Sequence, residues 1–472
     1  MRRRLPDDTV SRLLLAWGVL AAALYINDGT GPVGLPLVLG CVGLVFAVAR
    51  TPGPAGLPST RLLAALIVAS GIAGAVRAPG GAMSSLAPVL PFRLLALASM
   101  GFGLAGIHRP RHANRVASAL VAIFFVAGAL LLADSPAPRI DVFTLQQEGA
   151  RELLAGRNPY GATYTNPYTP AETREYFGAA SGSLTHYPYP PLTLLPTTVS
   201  KVLTGDVRYA MLAAQAGAGL LLYALARASS PALAVAILGL HLGHPRGLFV
   251  LEMAWTESLV GFATALLLFA LARRRPVAPG AIATGAGAVG VSDLALGAAV
   301  GMCLGAKQYS VLMVPFLLFL PSLSWRSWAW AIALCAALTL PFAAWGPRAF
   351  IGDLVLFQAQ QPFRMDALSL PPVVAWLIGV RLPGVVALVA AAISTIWVLP
   401  RLRSDAARRA LYGGERSRHA VHLVAVGTSF AYLAFFITAK QAFCNYYYYV
   451  GVLLLAAAAT APTGVSLEDA PR

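Results

Sequence analysis

Long apolar stretches recur along the whole chain and restrict the folds that are open to it. Each stretch is about 18 or more residues long, which is enough for a helix to cross about 30 Å of hydrocarbon. Hydrophobic residues make up 58% of the 472 residues and charged residues only 11%, a composition that the surface of a soluble domain would not tolerate. The stretches are continuous and do not alternate with period two, which excludes a closed barrel. The sequence therefore predicts an all-α polytopic membrane protein.

The placement of the basic residues predicts an orientation in the membrane. Lysine and arginine together number 35, giving a formal net charge of +16, and only three of them are lysines. Many of the arginines lie in short connectors, at 2–4, 109–115, 273–275 and 401–418. Such clusters are typical of cytoplasmic loops under the positive-inside rule, so they do not indicate a nucleic-acid partner. We therefore expect both termini in the cytoplasm of a cell-membrane protein.

Alternation of spans and connectors predicts about 12–14 membrane helices. The predicted organisation is five helices in 1–133, an external loop at 134–191, a C-terminal bundle in 192–462 with a second external segment at 345–368, and a cytoplasmic tail at 463–472. Because five crossings precede the long loop, that loop lies outside the membrane.

The external loop is the one extended polar part of the chain. Loops longer than about 12–15 residues are usually functional or disordered, and this one is rich in aromatic residues and prolines. Asp141 precedes a pattern compatible with an amphipathic helix lying along the membrane surface. A carboxylate in that place can act as a general base toward a hydroxyl group. Aspartate is also favoured as a helix N-cap, and the two roles do not exclude each other.

Two proline-containing motifs in this loop are candidates for substrate binding. Proline restricts the backbone of both motifs, while their aromatic faces suit sugar rings and suit the membrane interface equally well. The candidate residues are Asn158, Tyr160, His186, Tyr187 and Tyr189. A second catalytic role for His186 is open, and a solvated loop histidine is the simpler alternative.

Further polar residues are predicted at the external ends of later spans. They are Glu252, Glu257, Lys307, Gln361, Arg364, Lys440 and Asn445. A charge at membrane depth costs about 2.5–3.5 kcal/mol on insertion scales, so such residues normally face a cavity or a partner. Together they predict a polar pocket that lipids can reach. The two lysines, each within an Ala-Lys-Gln sequence, either hold the phosphate of a lipid head group or extend to the interface.

The two glutamates lie on one predicted span, 248–272. Residues five apart on a helix are separated by about 140° around its axis. Glu252 and Glu257 therefore cannot form one acid/base pair unless that helix is broken.

Nucleotide, metalloprotease and hydrolase motifs are not convincing in this sequence. The four cysteines are scattered and lack the spacing of a zinc site or a disulfide framework. We therefore expect no metal and no cofactor, and any activated sugar would have to arrive through the membrane as a lipid.

Asp141 together with Leu153-Leu154-Ala155-Gly156-Arg157-Asn158-Pro159-Tyr160 and Tyr187-Pro188-Tyr189-Pro190-Pro191-Leu192 resembles glycosyltransferase family 87. That family comprises actinobacterial polyprenol-phosphate-mannose-dependent mannosyltransferases of the GT-C superfamily. The resemblance implies a GT-C-like fold and inverting transfer of a sugar, mannose or possibly arabinofuranose, from a polyprenyl-phosphate donor. The acceptor would be a glycolipid or cell-envelope glycan on the external face. Asp141 matches the position of the catalytic base, and Lys307, Lys440 or Arg364 would stabilise the phosphate leaving group.

A multi-pass transporter or flippase of lipid-linked sugars is the alternative. It would also place charges at membrane depth, but it would be expected to contain a repeat of several spans. Apart from the two Ala-Lys-Gln sequences, no such repeat is evident.

Overall fold

The computed structural model describes residues 8–51, 56–83, 89–178, 181–274, 291–318, 320, 322–410 and 416–462. Nearly all regular structure in these residues is α-helical. One short antiparallel strand pair, β1 (Tyr164–Thr165) and β2 (Ser183–Leu184), lies in the long polar loop. The all-α class predicted from the sequence is confirmed.

Five α-helices precede the polar loop in the described residues. They are α1 (Thr9–Tyr25), α2 (Leu35–Arg50), α3 (Thr60–Val76), α4 (Val89–His108) and α5 (Ala113–Asp134). Side chains of Asp8 and Ser59 cap α1 and α3 by accepting hydrogen bonds from backbone N–H groups two residues into each helix. Apolar length and these polar caps together set the helix boundaries.

The polar loop is largely folded. It contains α6 (Asp141–Leu154) and α7 (Pro170–Phe177), and α8 (Pro191–Thr204) follows it. Helix α6 buries one apolar face, including Val142, Phe143 and Leu145, which confirms its amphipathic character. It approaches the rest of the loop closely at Gly149, where an added Cβ would lie 2.6 Å from the Tyr187 ring. The loop is therefore packed against itself and is not a slack linker.

Thirteen further helices follow α8 in the described residues. They are α9 (Arg208–Arg227), α10 (Pro231–Leu242), α11 (Gly247–Glu252), α12 (Glu257–Arg273), α13 (Asp293–Ala306), α14 (Val314–Leu317), α15 (Trp325–Trp345), α16 (Pro347–Ile351), α17 (Phe357–Gln360), α18 (Leu370–Ile378), α19 (Val385–Ala410), α20 (Arg416–Thr438) and α21 (Cys444–Thr460). A 3₁₀ helix covers Gln308–Met313 and a π-helical turn covers Gly352–Leu356. Helices α10 and α21 are almost entirely buried, and α21 packs against α1, α9, α12 and α20.

Seven helical segments in the described part of the chain are long and apolar enough to cross a membrane. They are Thr9–Gly29, Pro32–Arg50, Val89–His108, Pro110–Asp134, Arg208–Arg227, Trp325–Trp345 and Ser417–Thr438. Five shorter apolar helices of 10–17 residues accompany them. The chain is thus a multi-pass helical membrane protein, and the predicted total of 12–14 spans stays a prediction.

The predicted single span at 248–272 is wrong. The helix ends at Glu252, and a new helix begins at Glu257. Ala254, between them, has a φ of 56°, in the left-handed region that a residue with a Cβ adopts at a cost in free energy. The break turns the two glutamates toward different partners. Residues 275–290, which precede α13, and the predicted tail at 463–472 lie outside the described residues.

The connections at one end of the bundle contact one another. Arg77 and Arg246 both pair with Asp28, at 2.8 and 2.6 Å. The Gly31 N–H donates to the carbonyl of Asp366 at 2.6 Å, which joins the α1–α2 connection to the segment before α18. This end, predicted to be external, carries the polar loop.

Candidate active site

Asp141 is the first residue of α6, and its side chain does not cap the helix. The N-cap is Ile140. The Tyr168 hydroxyl donates a hydrogen bond to Asp141 Oδ1 at 2.8 Å, and the Asp141 backbone N–H donates to the same hydroxyl oxygen at 3.1 Å. Burial raises the pKa of Asp141, while the hydrogen bonds from the Tyr168 hydroxyl and the Val142 backbone and the positive charge of Arg364 lower it. A partly buried carboxylate held in this way is suited to accept a proton.

Tyr168→Phe is expected to move the acidic limb of the pH–activity profile to higher pH. The Tyr168 hydrogen bond favours the ionised form of Asp141, so its loss raises the pKa of this carboxyl group. A base works only when it is deprotonated, so activity then appears at a higher pH. Tyr176→Phe is the control, because its ring packs on Tyr168 without a hydrogen bond to Asp141. An acidic limb that stays in place in Tyr168→Phe would contradict this assignment.

Arg364 lies close to Asp141 but is paired elsewhere. Its guanidinium donates to both oxygens of Asp366, at 2.8 and 2.6 Å. It also lies 4.0 Å from the centroid of the Tyr176 ring and 5.0 Å from that of Phe443. Stacking and pairing together hold this cation in place and balance its charge.

Tyr189 connects Asp141 with residues of the bundle. Its side chain is buried, and burial raises its pKa, with further contributions from the nearby Asp141, Tyr446 and Glu257. Two carboxylates from different parts of the chain therefore lie within electrostatic range of one tyrosine. Tyr189 thus lies within electrostatic range of Asp141 and Glu257, and all three are residues that the sequence predicts for the site.

Glu257 and Lys307 form a buried ion pair at this place. Lys307 Nζ donates to Glu257 Oε1, and the Tyr309 hydroxyl donates to the same oxygen at 3.2 Å. The Lys307 ammonium also lies 5.4 Å from the Tyr309 ring centroid and 5.2 Å from that of Tyr446. Glu257 Oε2 has no hydrogen-bond partner among the described residues. The charge of Lys307 is therefore already balanced by a carboxylate.

Lys440 is in a different electrostatic situation. Its Nζ donates to the carbonyl oxygens of Gln361 and, at 3.4 Å, of Ala359. No carboxylate pairs with it in the part of the chain that the structure describes, and burial lowers the pKa of its ammonium group. The side-chain oxygen of Gln361 accepts from Gln441 at 3.1 Å. Of the three candidate cations, Lys440 is therefore the one with an unbalanced charge available for an anion.

Glu252 does not join this site. Its carboxylate accepts hydrogen bonds from the backbone N–H groups of Gly81, at 2.5 Å, and Ala82, at 3.1 Å. A Cβ at Gly80 would lie 2.5 Å from the same carboxylate, so the connection between α3 and α4 fits closely around it. Glu252, which the sequence predicts as a substrate-binding residue, therefore holds the connection between α3 and α4 in place.

The motif tyrosines are mostly buried. The Tyr160 hydroxyl donates to the carbonyl of Tyr189 at 2.8 Å, and the Tyr187 hydroxyl donates to Gln146 Oε1 at 3.0 Å. Asn158 Oδ1 accepts from the Tyr160 N–H at 3.0 Å, which forms a local turn. These side chains maintain the loop that presents Asp141. The seventh candidate of the bundle, Asn445, is buried in the first turn of α21 beside Tyr446.

Sequence reasoning missed Asp353. This buried residue lies in the π-helical turn, within the predicted second external segment. Its carboxylate contacts His186 Nδ1 at 2.9 Å and accepts from the N–H groups of Tyr187, at 3.0 Å, and Gly161, at 2.9 Å. The sequence feature that could have identified Asp353 is its position as an isolated acidic residue within an apolar helical segment.

A cavity of about 80 Å³ lies away from these residues, between α3, α4, α5 and α10. Its lining is mainly apolar, with Ser70, Arg77 and His244 among the polar residues. Within the described ranges, no three His, Cys, Asp or Glu side chains are grouped so as to hold a metal ion. Metal-independent chemistry stays a prediction.

Comparisons with known proteins yield one structural likeness. No model of a known protein family matches the chain, and a search of curated proteins finds no match. The chain is similar to a crystal structure of ArnT from Cupriavidus metallidurans bound to undecaprenyl phosphate, with 14% identity and a TM-score of 0.43. The match covers 72% of this chain and 59% of ArnT, less than two thirds of that protein's length. A likeness of this size assigns no residue and no activity to the present chain.

Proposed function

We propose that this protein is a membrane glycosyltransferase of the GT-C type. It transfers a sugar, mannose or arabinofuranose, from a polyprenyl-phosphate donor to a hydroxyl group of a glycolipid or cell-envelope glycan on the external face. The observation that carries the proposal is the carboxylate of Asp141, bound by the Tyr168 hydroxyl, within electrostatic range of Tyr189, which is also within range of Glu257 of the Glu257–Lys307 pair. The resemblance of the loop motifs to glycosyltransferase family 87 supports the same activity.

The residues divide the reaction between them. Asp141 accepts the proton of the acceptor hydroxyl, whose oxygen attacks the anomeric carbon of the donor sugar. The bond between that carbon and the phosphate oxygen breaks, and its electron pair leaves with polyprenyl phosphate. Lys440 binds this phosphate and stabilises the charge that develops on it. Attack on the face opposite the phosphate inverts the configuration at the anomeric carbon.

The surroundings of Lys440 are suited to a lipid. A Cβ at Gly384, which precedes α19, would lie 3.6 Å from Lys440 Cε. Helix α18 and the start of α19 present exposed apolar side chains, including Trp376, Leu377 and Val385. Such a surface is favourable when covered by hydrocarbon chains, which gives a prenyl tail a path to this cation.

The activity is tested with the full-length protein in lipid nanodiscs. The donors are polyprenyl-phosphate [¹⁴C]mannose and polyprenyl-phosphate [¹⁴C]arabinofuranose, and the acceptors are n-octyl glycosides. Formation of a labelled disaccharide with inverted anomeric configuration is expected with one donor. Movement of either lipid across vesicle membranes without any product would instead favour the flippase alternative.

Lys440→Gln is expected to raise the KM for the lipid donor by about 10–100-fold. A hydrogen bond to a charged group contributes about 1.5–3 kcal/mol, and the variant removes both the charge and the phosphate contact. Lys440→Arg retains the charge and should lie between wild type and Lys440→Gln. Lys201→Gln on α8 is the matched control with an unchanged KM. Equal KM values for Lys440→Gln and wild type would remove Lys440 from the phosphate site.

A further inference from the structure

His186 and Asp353 form a hydrogen-bonded pair between the two external segments. The distance from His186 Nδ1 to Asp353 Oδ1 is 2.9 Å. The histidine side chain is 41% exposed and the aspartate side chain only 3%, so the pair joins a buried carboxylate to an accessible ring.

The surroundings of Asp353 leave its carboxylate fully occupied. Oδ2 accepts from the backbone N–H groups of Gly161 and Tyr187, while Oδ1 contacts His186. Two backbone donors and the His186 contact on one buried carboxylate hold it in a fixed position. The π-helical turn that carries it is a geometry found frequently at functional sites.

This contact determines how His186 presents its other ring nitrogen. An ionised carboxylate only accepts hydrogen bonds, so Nδ1 carries the hydrogen. In the neutral ring, Nε2 is then a hydrogen-bond acceptor, and the side chain as a whole is 41% exposed. The Phe357 ring, whose centroid is 4.9 Å from that of His186, fixes the ring from one face.

The pair lies next to the proposed transfer site. Phe357 and Ala359, whose carbonyl accepts from Lys440, are two residues apart on α17, a rise of about 3 Å. Gln308, which follows Lys307, donates to the carbonyls of Pro188, at 2.9 Å, and Leu354, at 3.2 Å. Gln308 therefore contacts both the segment that carries His186 and the segment that carries Asp353.

We propose that His186 and Asp353 act as one unit that binds a hydroxyl group of the acceptor saccharide, with His186 Nε2 as the hydrogen-bond acceptor and Asp353 as its positioning residue. The proposal rests on the glycosyltransferase function. The acceptor side is favoured because His186 is exposed in a loop outside the membrane-spanning helices, whereas the candidate cations for the lipid phosphate lie at span ends.

His186→Gln is expected to raise the KM for an n-octyl glycoside acceptor by about 5–30-fold, the equivalent of a hydrogen bond of about 1–2 kcal/mol. The KM for the polyprenyl-phosphate donor and the melting temperature should stay at their wild-type values. His108→Gln, which changes an exposed histidine at the end of α4, is the matched control.

Asp353→Asn tests the positioning role. The amide oxygen of asparagine still accepts from Gly161 and Tyr187, but its NH₂ group would donate to His186 Nδ1 and reverse the tautomer. Nε2 then becomes a donor, and the saccharide hydroxyl, which can also accept, must reorient, so the acceptor KM should rise but by less than in His186→Gln. Because both changes act on the same interaction, the double variant should be no weaker than His186→Gln.

The outcomes separate the two proposals. Transfer by the wild type with an unchanged acceptor KM in His186→Gln overturns the His186–Asp353 unit alone. If Asp353→Asn raises the acceptor KM and His186→Gln does not, Asp353 only anchors the loop. That result would also overturn the His186–Asp353 unit. Absence of transfer by the wild type removes the glycosyltransferase function and, with it, this inference.

Discussion

Asp141→Asn is expected to lower the rate of transfer by about 10²–10⁴-fold, the usual contribution of a general base. Asparagine has nearly the shape of aspartate and its oxygen still accepts from the Tyr168 hydroxyl, so the start of α6 should keep its structure. What the variant loses is the ability to take a proton from the acceptor. Initial rates with labelled donor measure the effect, and the KM for the donor should change little.

Glu175→Gln is the control for this variant. Glu175 is an exposed carboxylate on α7 in the same loop, so its neutralisation tests the loop's net charge without touching the base. A change of less than about tenfold in Asp141→Asn would fall below the range for a general base and would exclude that role.

Glu257→Gln and Lys307→Met are each expected to destabilise the protein by about 3–5 kcal/mol. Glu257 is fully buried and Lys307 is 13% exposed, so either change leaves an unbalanced charge in a poorly solvated place. The double variant removes both charges and should recover most of the lost stability. Thermal unfolding in detergent micelles, followed by intrinsic fluorescence, ranks the stability of the wild type, the two single variants and the double variant.

The exposed pair of Arg157 and Glu152 provides the comparison. The Arg157 side chain is 59% exposed and its charge is solvated, so Arg157→Gln should destabilise the protein far less than either single change at the buried pair. A double variant at Glu257 and Lys307 that unfolds as readily as the single variants would show that the two charges do not stabilise each other.

The membrane helices were predictable where hydrophobicity alone decides their course. The five helices before the loop follow the apolar stretches, and polar caps lie at the start of α1 and α3. The break between Glu252 and Glu257 was not predictable, because the apolar stretch continues across it. Glu252 is held by the backbone of Gly81 and Glu257 by Lys307, so the two helices are tied to different partners. The partners lie far along the chain, so local sequence carries no sign of them.

Some residues of the candidate site were predictable from the sequence and others were not. The place of Asp141 at the start of an amphipathic helix was visible in the sequence. Its partner Tyr168 was missed, although it lies in the same loop, because no periodicity links the two. The burial of the tyrosines was not predictable either: an aromatic residue in a polar loop suits a sugar ring and the membrane interface equally well, and Tyr187 lies in the loop's own core.

The sequence by itself determined the class of the protein and the position of its polar loop, since hydrophobicity and chain length add up residue by residue along a span. Only the tertiary structure decided which charges remain unbalanced. In the sequence Lys307, Arg364 and Lys440 are equivalent cations at span ends, whereas in the fold the first two have carboxylate partners and the third has only backbone carbonyls. Ion pairs and hydrogen bonds form over a few ångströms between residues that are distant along the chain, so the fold alone assigns them.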